Sequence, residues 1–166
     1  MSNSLESINL DFKKSFHSVF QKPELIQPFL TKRSNEFDAL IKKEFIRREL
    51  ETDFALVALG GYGRKELFPS SDIDLSIIQF NVKTKKIEDI KDFIGWLWTL
   101  KVKVGHSVRT VKDIENITKS DLKEFTSYLS YRIIFCKKNK VASLSHDLKE
   151  ISKKWNKTKF FKAKRL

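Results

Sequence analysis

Cysteine, proline and glycine are all scarce in this 166-residue chain: one, three and five. The single cysteine, Cys136, excludes an internal disulfide and any metal site built from several cysteines. Its setting, "YRIIFCKK", predicts a buried helical thiol. No apolar run approaches the ~18 residues of a membrane helix. The opening MSNSLESINLDFKKSF lacks the apolar core of a signal peptide, so a cytoplasmic protein is expected. Arginine is also short, 7 against 26 lysines. Base reading and phosphate forks lean on arginine, so the formal charge of +12 is weak support for a nucleic-acid partner. That charge gathers late: residues 137–166 hold eleven Lys and Arg against Asp147 and Glu150. A basic tail of this kind can meet a polyanion. Lysine with abundant Phe, Ile and Asn is also what AT-rich coding sequence yields, and nucleic acid is not the expected partner. No repeat or low-complexity segment is present.

What is present suffices for a core. The chain is 40% hydrophobic and 12% aromatic, with fourteen Phe, which argues against disorder. Leu5, Ile8, Phe12, Phe16, Val19 and Phe20 recur near helical spacing and predict a helix over 4–20. A second helical pattern runs over 23–50 behind Pro23. "FALVALG" (54–60) reads as a buried strand and "DIDLSII" (72–78) as an alternating one. Residues 86–99 read as helix and "KVKVGHSVRT" (101–110) as strand. One or two helices are expected over 111–135, with Thr118 or Ser120 as caps, and another over 143–154. This order makes the fold α/β or α+β, a small sheet covered by helices. Trp96 and Trp98 are expected in the core, with His106 hydrogen-bonded there.

Three of the five glycines fall within "ALGGYGRKELFPSSDIDLSII", Ala58 to Ile78. Gly60, Gly61 and Gly63 close a strand, where glycine lets backbone N–H groups turn outward and an anion approach without a Cβ in the way. Arg64 and Lys65 add positive charge, and Ser71 a hydroxyl. The spacing is neither GxxxxGK[ST] nor GxGxxG. Asp72 and Asp74, two apart in a strand, share one face, while Ile73, Leu75 and Ile77 share the other. Two adjacent carboxylates repel unless a cation sits between them. Mg2+ or Mn2+, which take oxygen ligands, suit that place. Carboxylates, a divalent ion and a phosphate cradle together point to phosphoryl or nucleotidyl transfer. Each half alone is an ordinary turn; at this spacing, between two strands, the pair carries the argument. Nothing in the sequence supports stacking Tyr62 on a base.

"GGYGRKELFPSSDIDLSII" resembles the active-site signature of the bacterial protein-PII uridylyltransferase/uridylyl-removing enzymes, DNA polymerase β-like nucleotidyltransferases. "WLWTLKVKVGHSVRTVKDI", "SDLKEFTSYLSYRIIFCKK" and "KFFKAKRL" resemble later blocks of the same family, so the likeness covers roughly residues 40–166. It implies an α+β fold with a small mixed sheet and helices from both ends packed around it. It implies a helical segment over 1–50, a nucleotidyltransferase core over 51–135, and a basic helical segment over 136–166 that stops short. Carried over, Gly60 and Gly61 seat the triphosphate of UTP, helped by Ser71. Asp72 and Asp74 bind catalytic Mg2+, and Arg64 and Glu66 shape the turn, with Arg64 near phosphate. The implied acceptor is a tyrosine hydroxyl of the small trimeric PII signalling protein, giving uridylyl-PII and pyrophosphate.

Two departures stand out. Polymerase β-like transferases use a third carboxylate on the strand beside the aspartate pair, and related sequences carry acidic residues where this chain has Thr99 and Lys103. Three readings of Lys103 stay open: an ammonium paired with the aspartates in a metal's place, a phosphate contact, or a solvated side chain. Arg109 either reaches phosphate or uracil or braces the sheet against a carboxylate. The second departure is length. The family continues into an HD domain and two ACT domains, and this chain reads as an N-terminal fragment. The rival function is therefore a degenerate fold that binds nucleotide or protein without turnover.

Overall fold

The structure, a computed structural model, describes residues 14–153. Leu5, Ile8 and Phe12 of the first expected helix, and residues 154–166 of the basic tail, lie outside them. Residues 14–20 are helical (α1). Helix α2, Pro23–Arg47, opens with a proline where helices tolerate one. Its Leu30, Phe37, Ile41 and Phe45 form a buried stripe. The chain leaves α2 through Glu49 in the left-handed region and a short 3-10 turn, Leu50–Thr52.

Four strands follow: β1 (Phe54–Ala58), β2 (Ile73–Gln79), β3 (Val104–Arg109) and β4 (Arg132–Phe135). They lie in the order β3-β2-β1-β4. β1 runs antiparallel to β2 and β4, while β2 and β3 are parallel. The sheet is thus small and mixed, and the fold α+β. Parallel neighbours need a crossover, which contains α4, Ile87–Trp98. Between Gln79 and α4, Asp53 accepts from Thr84 and Asn81.

β1 is buried at every position because helices cover both faces of the sheet. Phe54, Leu56 and Ala58 join α2's Phe37, Ile41 and Phe45, β2's Ile73, Leu75 and Ile77, and α4's Ile90, Phe93 and Leu97 in one apolar cluster. Ala55 and Val57 point the other way, with Ile78, to meet Ile114, Tyr128, Leu144, Leu148 and Ile151. These last belong to α5 (Val111–Ser120), α6 (Leu122–Tyr128) and α7 (Lys138–Lys153). The period of two in β1 and β2 therefore sorts side chains onto two helical layers.

Several sequence expectations need correction. Residues 132–135 form strand β4 rather than helix; "YRIIF" is the β-branched and aromatic composition a strand favours. Cys136, expected as a buried helical thiol, follows β4 and is half-buried. Thr118 lies buried inside α5, and the helix caps are Thr110, in a capping box with Asp113, and Asp121. Trp98 is 64% exposed. His106 is exposed too and packs on the Trp98 ring at 5.7 Å, outside the core. β3 starts at Val104, so Lys103 precedes the strand.

Candidate functional site

The glycine stretch is not the open cradle its composition suggests. Gly60–Gly63 wind into one helical turn, α3, directly after β1. Gly63 N–H donates to Leu59 O at 2.9 Å, Arg64 N–H to Gly60 O at 3.1 Å and Glu66 N–H to Gly61 O at 2.9 Å. The three glycines serve different ends. Gly60 has φ +56°, a conformation cheap only for glycine, and a Cβ there would rest 3.7 Å from Asp74 Oδ2. A Cβ on Gly61 would meet Glu66 O at 3.7 Å. On Gly63 it would fall 1.8 Å from Ser130 O, so this glycine is there for packing.

Leu59 N–H donates to Asp74 O at 3.0 Å, which fixes the turn beside the carboxylate pair. Asp72 precedes β2 and Asp74 is its second residue. Asp74 shares its face of the sheet with Ser76 and Ile78, opposite Ile73, Leu75 and Ile77. Across the parallel ladder Asp74 stands opposite Gly105. A Cβ on Gly105 would lie 2.6 Å from Asp74 Oδ1. The sequence reading passed over Gly105; a lone glycine in a strand pattern marks such a close approach.

Lys103 sits two residues before Gly105, and its carbonyl accepts from Ile73 N–H at 2.8 Å. Its ammonium, although 81% exposed, comes within 2.9 Å of Asp72 Oδ2. Pairing with Asp72 and a largely solvated side chain thus occur together. The hydrogen bond and charge of Asp72, with Asp74 behind it, hold the Lys103 amine above its ordinary pKa. Asp74 is the exposed residue of an otherwise buried run in β2; partial desolvation first and the Asp72 charge second raise its pKa above the ordinary value, against the pull of Lys123 and Lys103. Asp74 is thus a carboxylate short of positive charge.

The remaining candidates are engaged elsewhere. Arg64 Nε donates to Glu66 Oε2 at 2.7 Å on the surface. Ser71 Oγ accepts from Phe68 N–H at 3.1 Å, closing its own turn. Arg109 does not join the site. It pairs with Ile78 in register, four residues, about 13 Å, along the strand from Gly105. There its guanidinium forks onto Glu124, at 2.5 and 3.3 Å. It braces the sheet.

Among the described residues no group of three or more His, Cys, Asp or Glu gathers as metal ligands, and none of their helices is long and apolar enough to cross a membrane. No family model matches the chain. Relatives do. The chain is 35% identical over 133 residues to the bifunctional uridylyltransferase/uridylyl-removing enzyme of Cupriavidus metallidurans, covering 80% of the chain and 16% of that protein. The enzyme of the same name from Haemophilus influenzae is 35% identical over 153 residues, 90% of the chain and 17% of the relative. That from Aliivibrio fischeri is 33% identical over 135 residues, 80% of the chain and 15% of the relative. The chain therefore spans a small part of each of these relatives. Over most of its length the chain is thus homologous to a short stretch of the bifunctional uridylyltransferase/uridylyl-removing enzymes.

Proposed function

We propose that this chain carries a nucleotidyl-transfer donor site: it binds UTP with Mg2+ or Mn2+ and moves UMP to a tyrosine hydroxyl of the PII protein, releasing pyrophosphate. The observation that carries this reading is the left-handed Gly60 turn facing Asp74, with Asp72 on the same side of the sheet. Gly60 and Gly61 lie in the first turn of α3, where backbone N–H groups have no helical acceptor and suit phosphate oxygens. Asp72 and Asp74 supply hard oxygen ligands side by side, and the raised pKa of Asp74 marks a place where added positive charge is favourable. That donor set fits one divalent ion completed by phosphate and water oxygens. Such an ion neutralises the triphosphate and aligns it for attack on the α-phosphorus. The Ser71 oxygen accepts a bond and keeps its own proton to donate. Arg64 reaches phosphate by leaving Glu66, an exposed pair of small energetic worth.

A second reading, nucleotide or protein binding without turnover, rests on one observation. Lys103 places an ammonium on Asp72 where the family resemblance expects a carboxylate. Calorimetry of UTP with the purified chain, in Mg2+ and then in EDTA, tests the donor site: binding in Mg2+ that EDTA abolishes is expected, and a folded sample that binds in neither refutes it. Transfer of labelled UMP to PII then separates the two readings. Parent activity supports the enzyme. Transfer that appears only in Lys103→Glu marks the natural chain as a binding module.

A further inference from the structure

We propose that Asp38 and Arg132 are positioning residues of this site, clamping the Gly60–Gly63 turn from behind through Tyr62. The inference rests on the donor-site reading above. The two residues are 94 positions apart and touch neither Asp72 nor Asp74 in any recorded bond. Asp38 lies on α2, Arg132 opens β4, and α3 lies between them in the chain.

Every nitrogen of the Arg132 guanidinium is used. Nη1 donates to Asp38 Oδ2 at 2.5 Å, and Nη2 to Asp38 Oδ1 at 3.2 Å. Nε donates to Gly63 O, and Nη2 also to Tyr62 O, both at 3.1 Å. Those two carbonyls end a helix one turn long. Helix ends leave carbonyls without partners, and a single turn does not hold itself. Arg132 supplies a donor to Gly63 O and a second one to Tyr62 O, which already accepts from Lys65 N–H at 3.1 Å, and only a rigid fork reaches both carbonyls and a carboxylate at once.

Tyr62 closes the clamp. Its hydroxyl donates to Asp38 Oδ1 at 2.7 Å, its ring lies under the guanidinium at 5.5 Å, and the residue is 1% exposed. Burial and then the Asp38 charge hold the phenol above its ordinary pKa, so it stays a donor. Gly63 packs against Ser130 O with no space for a methyl group. The turn is thus gripped at its C-terminal end by α2 and by the approach to β4, while its N-terminal end, Gly60, faces Asp74. The clamp sets where the Gly60 and Gly61 amides lie relative to the carboxylates without meeting the nucleotide. In such an arrangement a shift of about 1 Å costs up to about a hundredfold in productive geometry.

The test uses the whole chain and the variants Arg132→Lys and Asp38→Asn, with Glu124→Gln as a control at an ion pair away from the site. Amide hydrogen exchange is read at Gly63, Arg64 and Glu66, whose N–H groups close the turn, and at β1. The clamp predicts exchange at least about tenfold faster at the three turn amides with β1 protection kept; unchanged turn amides, or uniform loss across both, overturn it. Calorimetry with UTP and with inorganic triphosphate, both in Mg2+, reads position. Each clamp variant is expected to weaken both ligands at least about tenfold, while the control lowers only the melting temperature. Clamp variants that melt lower yet bind like the parent overturn the positioning role. If the parent binds neither ligand, the donor-site reading falls, and the exchange data alone decide the clamp.

Discussion

The two ends of the β2–β3 pair are built from the same kinds of residue and do opposite things with them. At the far end, Arg109 and Glu124 fork onto each other, and Ser76 shares a 2.7 Å hydrogen bond with Tyr128, both fully buried. Charges and hydroxyls there are matched within the protein. At the near end two carboxylates face one side, one bound by an exposed lysine and the other held above its ordinary pKa by partial desolvation and by its neighbour. Matched charge braces; mismatched charge waits for a ligand. The contrast predicts that substitutions at the near end cost binding and spare the fold, and that substitutions at the far end do the reverse.

The largest effect is expected from Asp74→Asn. Outer-shell changes around a metal cost about 10–100-fold, and loss of a ligand costs more, so Mg2+-dependent UTP affinity should fall at least about 100-fold. The melting temperature of the ligand-free chain should hold or rise, because a like charge beside Asp72 is removed. Calorimetry paired with thermal unfolding reads both, and a variant that binds as the parent does would remove Asp74 from the ligand set. Gly105→Ala sharpens the same point without touching a charge. The new methyl would lie 2.6 Å from Asp74 Oδ1, so the carboxylate must turn away. A loss of about tenfold in UTP affinity is expected, with a smaller change in melting temperature; equal affinity would show that Asp74 has freedom to spare.

Much of this contrast was readable in the sequence, for physical reasons. The strict alternation of Asp72, Ile73, Asp74 and Leu75 puts carboxylates and core side chains on opposite faces, and β2 does this. Helices α2 and α4 follow their apolar stripes. Lys103 was visible as an oddity, but its pairing with Asp72 was one of three readings the sequence left open and is seen only in the fold. The turn after β1 was legible as glycine but not as helix, because glycine permits many paths and only its neighbours choose one. Asp38, Tyr62 and Arg132 left no mark: their contacts span 24 to 94 residues, and no local pattern encodes a meeting that the tertiary fold arranges. β4 was lost inside a stretch whose flanks are helical, although its Arg-Ile-Ile-Phe composition favours a strand.

At the far end Glu124→Gln should break the fork and leave Arg109 with a neutral partner. Hydrogen bonds to charged groups contribute about 1.5–3 kcal/mol; this pair is about a quarter exposed, so the cost falls toward the lower end, about 1–2 kcal/mol. For a chain of this size that lowers the melting temperature by about 2–8 °C, with UTP affinity unchanged. A fall in affinity at constant stability would place Arg109 in the site and dissolve the distinction between the two ends.

The smallest effect is the pH dependence of the ligand-free fold, and its sign separates Asp74 from an ordinary paired carboxylate. A carboxylate held by an ion pair has a depressed pKa and stabilises the fold above its unfolded value. Asp74 is the reverse: partial desolvation and Asp72 raise its pKa in the folded state. Between the unfolded and folded values the native state binds more protons than the unfolded chain, so stability falls as pH rises. Asp74's contribution is fully present below the unfolded pKa and is lost as pH passes the folded one. Asp74→Asn removes that slope, so the variant's melting temperature should gain on the parent's as pH climbs from the unfolded carboxylate range through the raised value, then run level. A divalent ion binds the ionised form, so Mg2+-dependent UTP affinity should strengthen over the same interval. Opposite slopes for the empty fold and the loaded site, both erased by one substitution, are what a carboxylate kept for a ligand requires. Parallel slopes would mean that Asp74 serves the fold, as Glu124 does at the other end.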